Sequence, residues 1–408
     1  MDSPRPRYEQ SWRAGASAPR SSGSPHSVAF RRECLVMAKP AGPRCNMRCA
    51  YCYYLGKEAT LPRGPGRLPM DMLERYIEQR LQASSGPVVH FEWHGGEPTL
   101  LGLDYFRSIV RMQRAHVPPG REVSNGLQTN GYLLDGAWAG FLAREGFSVG
   151  LSLDGPAELH DAFRRSADGG PTHARVERAF AHLKERGVFV NLLCVLHARN
   201  SGEPDMVYDY FRGLGATHFQ FLPLVAGNTG STAAEPVTVG EFLCRIFDRW
   251  ISEGAGRVVI QNIDEALRPI YGLPHALCVH RETCGEVAVL ERDGGFYACD
   301  HFVDADHLIG NLSERSLADM AADPRMIAFG NAKRDTLPRE CRECDLLSWC
   351  NGGCPKDRDP AAPGEAGGVN RLCPAYKRFF GHSRPELTRL AAHMRLGRPL
   401  REFKPRAS

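Results

Sequence analysis

The run Cys45-Asn46-Met47-Arg48-Cys49-Ala50-Tyr51-Cys52-Tyr53-Tyr54 places three thiols on one short loop, at the spacing C-x₃-C-x₂-C. Three thiolates so placed can hold three irons of a [4Fe–4S] cluster. The fourth iron is then open to an exchangeable ligand, whereas a purely structural cluster closes that site with protein. Structural zinc also takes cysteines at such spacings, but usually as two separated pairs. No partner pair lies close to this run.

Outward from the loop, short apolar runs alternate with amphipathic ones. Residues 34–38, 88–93, 122–128, 147–153, 188–196 and 218–224 read as strands, and residues 70–83, 104–116, 135–145, 173–186 and 205–214 as helices. Repeated β-α units predict a parallel sheet, and six of them predict an α/β fold of the partial (β/α)6 TIM-like barrel kind. Chemistry in such barrels sits at the C-terminal strand ends. The cysteine loop follows the first strand, and His94-Gly95-Gly96-Glu97-Pro98 the second. Gln128-Thr129-Asn130-Gly131 ends the third strand and Ser152-Leu153-Asp154-Gly155 the fourth. Gly95 and Gly96 allow backbone to approach a ligand without a Cβ in the way. Gln128, Asn130, Ser152 and Asp154 offer polar groups for ribose hydroxyls or a carboxylate. Arg165 can pair with a carboxylate as a bidentate fork, although a solvated surface arginine explains it equally well.

The chain holds 408 residues, 42% of them hydrophobic, with a formal charge of +4. That length suits one barrel-sized domain and a smaller second one. The mild charge predicts no nucleic-acid partner, and no apolar run reaches the length of a membrane span. Residues 1–33 are rich in Arg, Ser, Pro and Gly and lack the apolar stretch of a secretory signal, so they read as a disordered N-terminal tail. The reducing cytoplasm is then the expected compartment, where clustered cysteines argue for metals over disulfides.

Of the 14 cysteines, eight sit late: Cys278, Cys284, Cys299, Cys341, Cys344, Cys350, Cys354 and Cys373. Eight thiolates can close two [4Fe–4S] clusters; a pair of zinc sites is the alternative. Spacing alone does not say which cysteine belongs to which cluster. Cys34, Cys194 and Cys244 read as small buried hydrophobes.

The first cysteine run and the Gly-Gly-Glu-Pro turn resemble the signatures of the radical S-adenosylmethionine (radical SAM) enzymes. The late block resembles the SPASM domain, a two-cluster extension of peptide-modifying members. Within that group, Met37-Ala38-Lys39-Pro40, Phe329-Gly330-Asn331-Ala332-Lys333-Arg334-Asp335, Asn351-Gly352-Gly353-Cys354-Pro355-Lys356-Asp357-Arg358 and Asn370-Arg371-Leu372-Cys373 resemble the anaerobic sulfatase-maturating enzymes. The resemblance implies that Cys45, Cys49 and Cys52 hold the cluster that cleaves S-adenosylmethionine to a 5′-deoxyadenosyl radical. Gly95, Gly96 and Glu97 would bind the cofactor's amino end. Tyr54 would pack over its adenine, unless it is a core aromatic. Cys278, Cys284, Cys299 and Cys354 would hold one auxiliary cluster, and Cys341, Cys344, Cys350 and Cys373 the other, making three [4Fe–4S] clusters.

Asp300, in Tyr297-Ala298-Cys299-Asp300-His301, matches the general-base position of that group. The implied reaction converts a Cys or Ser of a sulfatase, within Cys/Ser-x-Pro-x-Arg of an unfolded or nascent chain, into Cα-formylglycine. A reducing donor such as flavodoxin or ferredoxin would supply electrons. The expected division is a radical SAM core over 34–265, a SPASM domain over 266–385 and a C-terminal tail over 386–408. Two other readings compete: a SPASM enzyme forming thioether or carbon–carbon crosslinks in a ribosomal peptide, and a non-catalytic metal-binding scaffold.

Overall fold

Strand β1 (Leu35–Lys39) leads directly into the cysteine loop, so the first strand already aims that loop at one end of a sheet. The structure is a computed structural model and describes residues 33–59, 61, 66–225, 232–360 and 367–406; nearly all of the segment expected as an N-terminal tail lies outside these. After β1 the chain runs α1 (Met70–Ala83), β2 (Val88–Trp93), α2 (Gly102–His116), β3 (Glu122–Thr129), α3 (Gly136–Arg144), β4 (Ser148–Ser152), α4 (Ala157–Phe163), α5 (His173–Glu185), β5 (Phe189–Leu196), α6 (Pro204–Gly213) and β6 (His218–Pro223). All six expected strands form, close to their expected bounds, and pair in parallel in chain order.

Local chemistry explains these elements. On α1, Leu73, Tyr76, Ile77 and Leu81 recur at helical spacing and are buried, as one apolar stripe requires. On β2, Val89, Phe91 and Trp93 alternate with half-buried His90 and Glu92. The apolar face packs under the helices and the polar one looks the other way, the period-two signature of a strand. Asp135 starts α3 by accepting hydrogen bonds from the N–H groups of Ala137 and Trp138, a cap worth about 1 kcal/mol. Proline occupies the first turn of α6, where its missing N–H costs nothing.

The sheet is larger than the sequence suggested. Helices α7 (Pro236–Arg249) and α8 (Gln261–Tyr271) flank the short β7 (Val259–Ile260), which extends the sheet beyond β6. On the opposite edge β8 (Val287–Glu291) pairs in parallel with β1 and opens an antiparallel meander with β9 (Gly295–Tyr297) and β10 (Leu308–Asn311). The order is β10-β9-β8-β1-β2-β3-β4-β5-β6-β7, so the parallel run does not close on itself. The cysteine-rich C-terminal section therefore grows out of the same sheet.

Among the described residues the two longest helices of this section are α9 (Pro324–Asp335) and α10 (Cys373–Arg395). Helix α10 packs on α7 and α8 and buries Phe379, Phe380, Leu387 and Leu390. Residues 386–395, expected as the start of a tail, are thus part of a packed helix. Cys34, Cys194 and Cys244 are buried, as expected. Among the described residues no helix is long and apolar enough to cross a membrane.

Candidate active site and cluster pockets

The cysteine loop is clamped from two sides. On one side the N–H of Gly96 donates to Gly42 O and that of Glu97 to Arg44 O, both at 2.8 Å. A Cβ on Gly96 would stand 2.2 Å from Arg44 O and 2.6 Å from Pro43 O. Gly96 is therefore required by the backbone leading into Cys45, a reason the sequence reading had assigned to a ligand. On the other side Arg48 N–H donates to Arg165 O, Ala50 N–H to Phe163 O, and Ala167 N–H to Asn46 O. Gly96→Ala is expected to displace the loop and lower reconstituted iron by up to about four per chain, as read by iron analysis on folded protein.

The polar residues at the strand ends divide into two kinds. Gln128 and Ser152 are half-buried and share a face, with Gln128 Nε2 donating to Ser152 Oγ at 3.2 Å. Asn130 Nδ2 donates to Asn46 Oδ1 at 2.9 Å and lies 3.6 Å from Cys45 Sγ. Asn130 thus stands against the cysteine loop, while Gln128 and Ser152 pair with each other across the ends of β3 and β4. Arg165 is exposed, and its side chain stays available to an anion.

Glu97 and Asp154 are different, because their side chains are bonded within the protein. Glu97 is fully buried and accepts from Thr99 N–H and Oγ1, Thr129 Oγ1 and Asn130 N–H. It ties the Gly-Gly turn to the end of β3. Asp154, also fully buried, accepts from Arg164 Nε at 2.8 Å and Nη2 at 3.1 Å, from Val195 N–H at 2.9 Å and from the Tyr51 hydroxyl. Two carboxylate oxygens offer about four acceptor positions, and those of Asp154 are taken by these four donors. Arg164, a residue the sequence reading passed over, is thus buried next to Cys49.

Asp300 sits at the same end of the sheet. The β1–β8 register sets Lys39 directly beside Glu291, and the turn after β9 brings Asp300 over them. Fully buried Lys39 makes an ion pair with Asp300, and the Tyr53 hydroxyl donates to the other carboxylate oxygen. Burial by itself would raise the Asp300 carboxyl, but Lys39, His94 and His301 outweigh it and hold the group well below the usual carboxylate range. Asp300 is therefore ionised and fixed in place. Tyr54 is a buried aromatic: its hydroxyl donates to Glu291 at 2.5 Å, and the Lys39 ammonium lies 3.6 Å from its ring centroid. Burial pushes Glu291 up to about 7, against the opposing pull of Lys39 and Tyr54. A charged residue ending an apolar strand was the signal that could have drawn attention to Lys39.

The late cysteines fall into two groups. Cys299 has Cys278 and Cys284 as electrostatic neighbours, and Cys354 has Cys299. Cys350 has Cys341, Cys344 and Cys373. Cys341, Cys344, Cys350 and Cys373 line one cavity of about 180 Å³, walled by Leu346, Tyr376 and Phe380. Burial pushes Cys299 and Cys354 up to about 12, Cys350 to about 11, and, in the first loop, Cys45 to about 12 and Cys49 to about 11. Buried thiols of this kind become thiolates once metal supplies positive charge. The three-thiol loop and the two four-thiol groups suit the donor set of [4Fe–4S] clusters.

Comparison with known proteins agrees with this geometry. A family model of the Radical SAM superfamily matches residues 40–211, and one of an iron–sulfur cluster-binding domain, SPASM, matches residues 278–345. The serine-type anaerobic sulfatase-maturating enzyme of Bacteroides thetaiotaomicron is 35% identical over 377 residues, covering 87% of this chain and 91% of that one. The cysteine-type anaerobic sulfatase-maturating enzyme of Clostridium perfringens is 31% identical over 368 residues, covering 88% and 99%. The solved structure "Native anSMEcpe with bound AdoMet and Cp18Cys peptide" superposes with a TM-score of 0.81 at 31% identity, over 88% of this chain and 99% of that one. SuiB of Streptococcus suis bound to S-adenosylmethionine shares the fold, with a TM-score of 0.57 at 15% identity over 79% and 73%. The sequence likeness over nearly the whole of both chains, on a sheet whose strand ends gather the cysteine loop and Asp300, shows that the chain belongs to the anaerobic sulfatase-maturating enzymes of the radical SAM superfamily.

Proposed function

We propose that this enzyme oxidises an active-site Cys or Ser of a sulfatase to Cα-formylglycine, with S-adenosylmethionine and three [4Fe–4S] clusters as cofactors. The observation that carries the reading is the fixed, ionised Asp300, bonded to Tyr53, the residue that follows Cys52. Cys45, Cys49 and Cys52 would hold the first cluster, with Gln128, Asn130, Ser152 and Arg165 along the cofactor. Cofactors held there would supply the radical chemistry that oxidises the substrate Cβ.

The chain's own task is to place the substrate and receive the proton from sulfur or oxygen. Asp300 is the group for that step: it is ionised, and Lys39 and Tyr53 hold its orientation. Lys39 is positioned through main-chain pairing with β8, so it orients the base without meeting substrate itself. Lys39 beneath the base is fully buried, whereas Tyr53 is exposed and Asp300 half-buried, so the base can be reached from the open side.

The late cysteines would hold the two auxiliary clusters, in the two groups described. The core would span residues 34–265 and the cluster-bearing section 266–385. The client would be an unfolded or nascent sulfatase presenting Cys/Ser-x-Pro-x-Arg, in the cytoplasm, with flavodoxin or ferredoxin as donor.

The test is a short peptide carrying Cys-x-Pro-x-Arg, incubated anaerobically with reduced enzyme and S-adenosylmethionine. It is expected to lose about 18 mass units, and its Ser counterpart about 2, as CH₂SH or CH₂OH becomes CHO. Cleavage of S-adenosylmethionine with neither peptide changed in mass would overturn the assignment.

A further inference from the structure

Two stretches singled out in the sequence, one around Lys333 and one ending in Arg358, have no part in the reaction as described. Lys333 lies on the buried face of α9 with Met326 and Gly330. Gly330 lets the segment bearing Cys284 close in: Cys284 N–H donates to Gly330 O at 3.0 Å, and a Cβ there would stand 2.7 Å from Cys284 O. The Lys333 amine reaches past it to Cys278 O at 2.9 Å, Val279 O at 3.0 Å and Arg281 O. Three carbonyl acceptors need three N–H donors, which only the ammonium form has.

Arg358 follows Cys354 by one short turn. Its guanidinium donates to Lys333 O at 2.8 Å, Gly352 O at 3.3 Å and Thr336 Oγ1 at 3.3 Å. Gly352 lies between Cys350 of one thiol group and Cys354 of the other. The thiol charges that act most on Arg358 are those of Cys341 and Cys350 from one group and Cys284 and Cys354 from the other. Those that act most on Lys333 are those of Cys284, Cys354 and Cys278, all from one group. Neighbouring cations are neutralised locally, Arg281 by Glu286 and Lys356 by Asp357. The acceptors shown for Lys333 and Arg358 are carbonyl and hydroxyl oxygens, which leave the positive charge uncompensated.

A [4Fe–4S] cluster gains one negative charge on reduction, and nearby positive charge favours that state. We propose that Lys333 and Arg358 raise the reduction potentials of the auxiliary clusters, Lys333 at the cluster of Cys278, Cys284, Cys299 and Cys354, and Arg358 at both. The inference rests on the reading that these thiol groups hold clusters. Both residues act through the field they exert and are positioning residues, outside the reacting atoms.

The test uses full-length, anaerobically reconstituted enzyme in which Cys45, Cys49 and Cys52 are replaced by Ala, leaving only the auxiliary clusters. Electrochemical titration followed by electron paramagnetic resonance reads each midpoint potential, and a further Cys341→Ala, Cys344→Ala variant assigns the signals. Lys333→Gln is expected to lower one potential and leave the other in place. Arg358→Gln is expected to lower both, and Arg358→Lys to restore them. Unmoved potentials in Arg358→Gln, or equal shifts of both clusters in Lys333→Gln, would overturn the proposal. Should Lys333→Gln not retain its cluster, the Arg358 pair decides alone, on whether charge loss lowers both potentials and Lys reverses it. Absence of any auxiliary cluster signal in the starting variant would instead refute the cluster reading beneath the proposal.

Discussion

Replacing Cys45, Cys49 and Cys52 together with Ala is expected to leave about eight irons of about twelve per chain and to abolish cleavage of S-adenosylmethionine. The loop is positioned chiefly by backbone bonds, through Gly96, Glu97 and the 163–167 segment, with only weak contacts to Cys45 Sγ from Met47 N–H at 3.3 Å and Asn130 Nδ2 at 3.6 Å. The substitutions should therefore spare the fold and the auxiliary sites while removing every ligand of the first cluster. Iron analysis and release of 5′-deoxyadenosine read the two effects separately. Retained cleavage, or stoichiometric zinc with no charge-transfer absorption, would sink the assignment of this loop.

Asp300→Asn is expected to keep its clusters and cleave S-adenosylmethionine while formylglycine yield falls by about 10²–10⁴. The change preserves shape and removes basicity, so radical generation, which lies upstream, should persist. A second consequence follows from Lys39, fully buried opposite Asp300. Removing one partner of a buried pair costs about 3–5 kcal/mol, because the remaining charge is stranded in a poor solvent. Asp300→Asn should melt earlier, and adding Lys39→Met should recover part of that stability without recovering product. Near-normal yield from Asp300→Asn would show that the base lies elsewhere. Lost yield in the double variant together with restored melting would separate the chemical role from the structural one.

Much of this enzyme was legible in local pattern. Helical spacing on α1 and alternation on β2 reflect which face each element buries, and that is a property of neighbours along the chain. The cysteine run likewise needs only one loop, so its chemistry is readable from spacing. The extra strands were not: β7 is two residues long, and β8 to β10 lie in a stretch where cysteine spacing carried the reading.

The sequence by itself thus determined the six β-α units and the three-thiol loop, while Asp300 became a candidate base through the family resemblance. Tertiary structure alone decided what surrounds them. It brought the late cysteines together in the two groups that spacing left open and the resemblance implied, and it showed Glu97 and Asp154 bonded within the protein. It also placed Lys39 against Glu291 and Asp300 through the pairing of β1 with β8. Strand spacing and thiol spacing depend on residues a few positions apart, whereas sheet register and the partner of a buried charge depend on segments far apart in the chain, joined only when the sheet assembles.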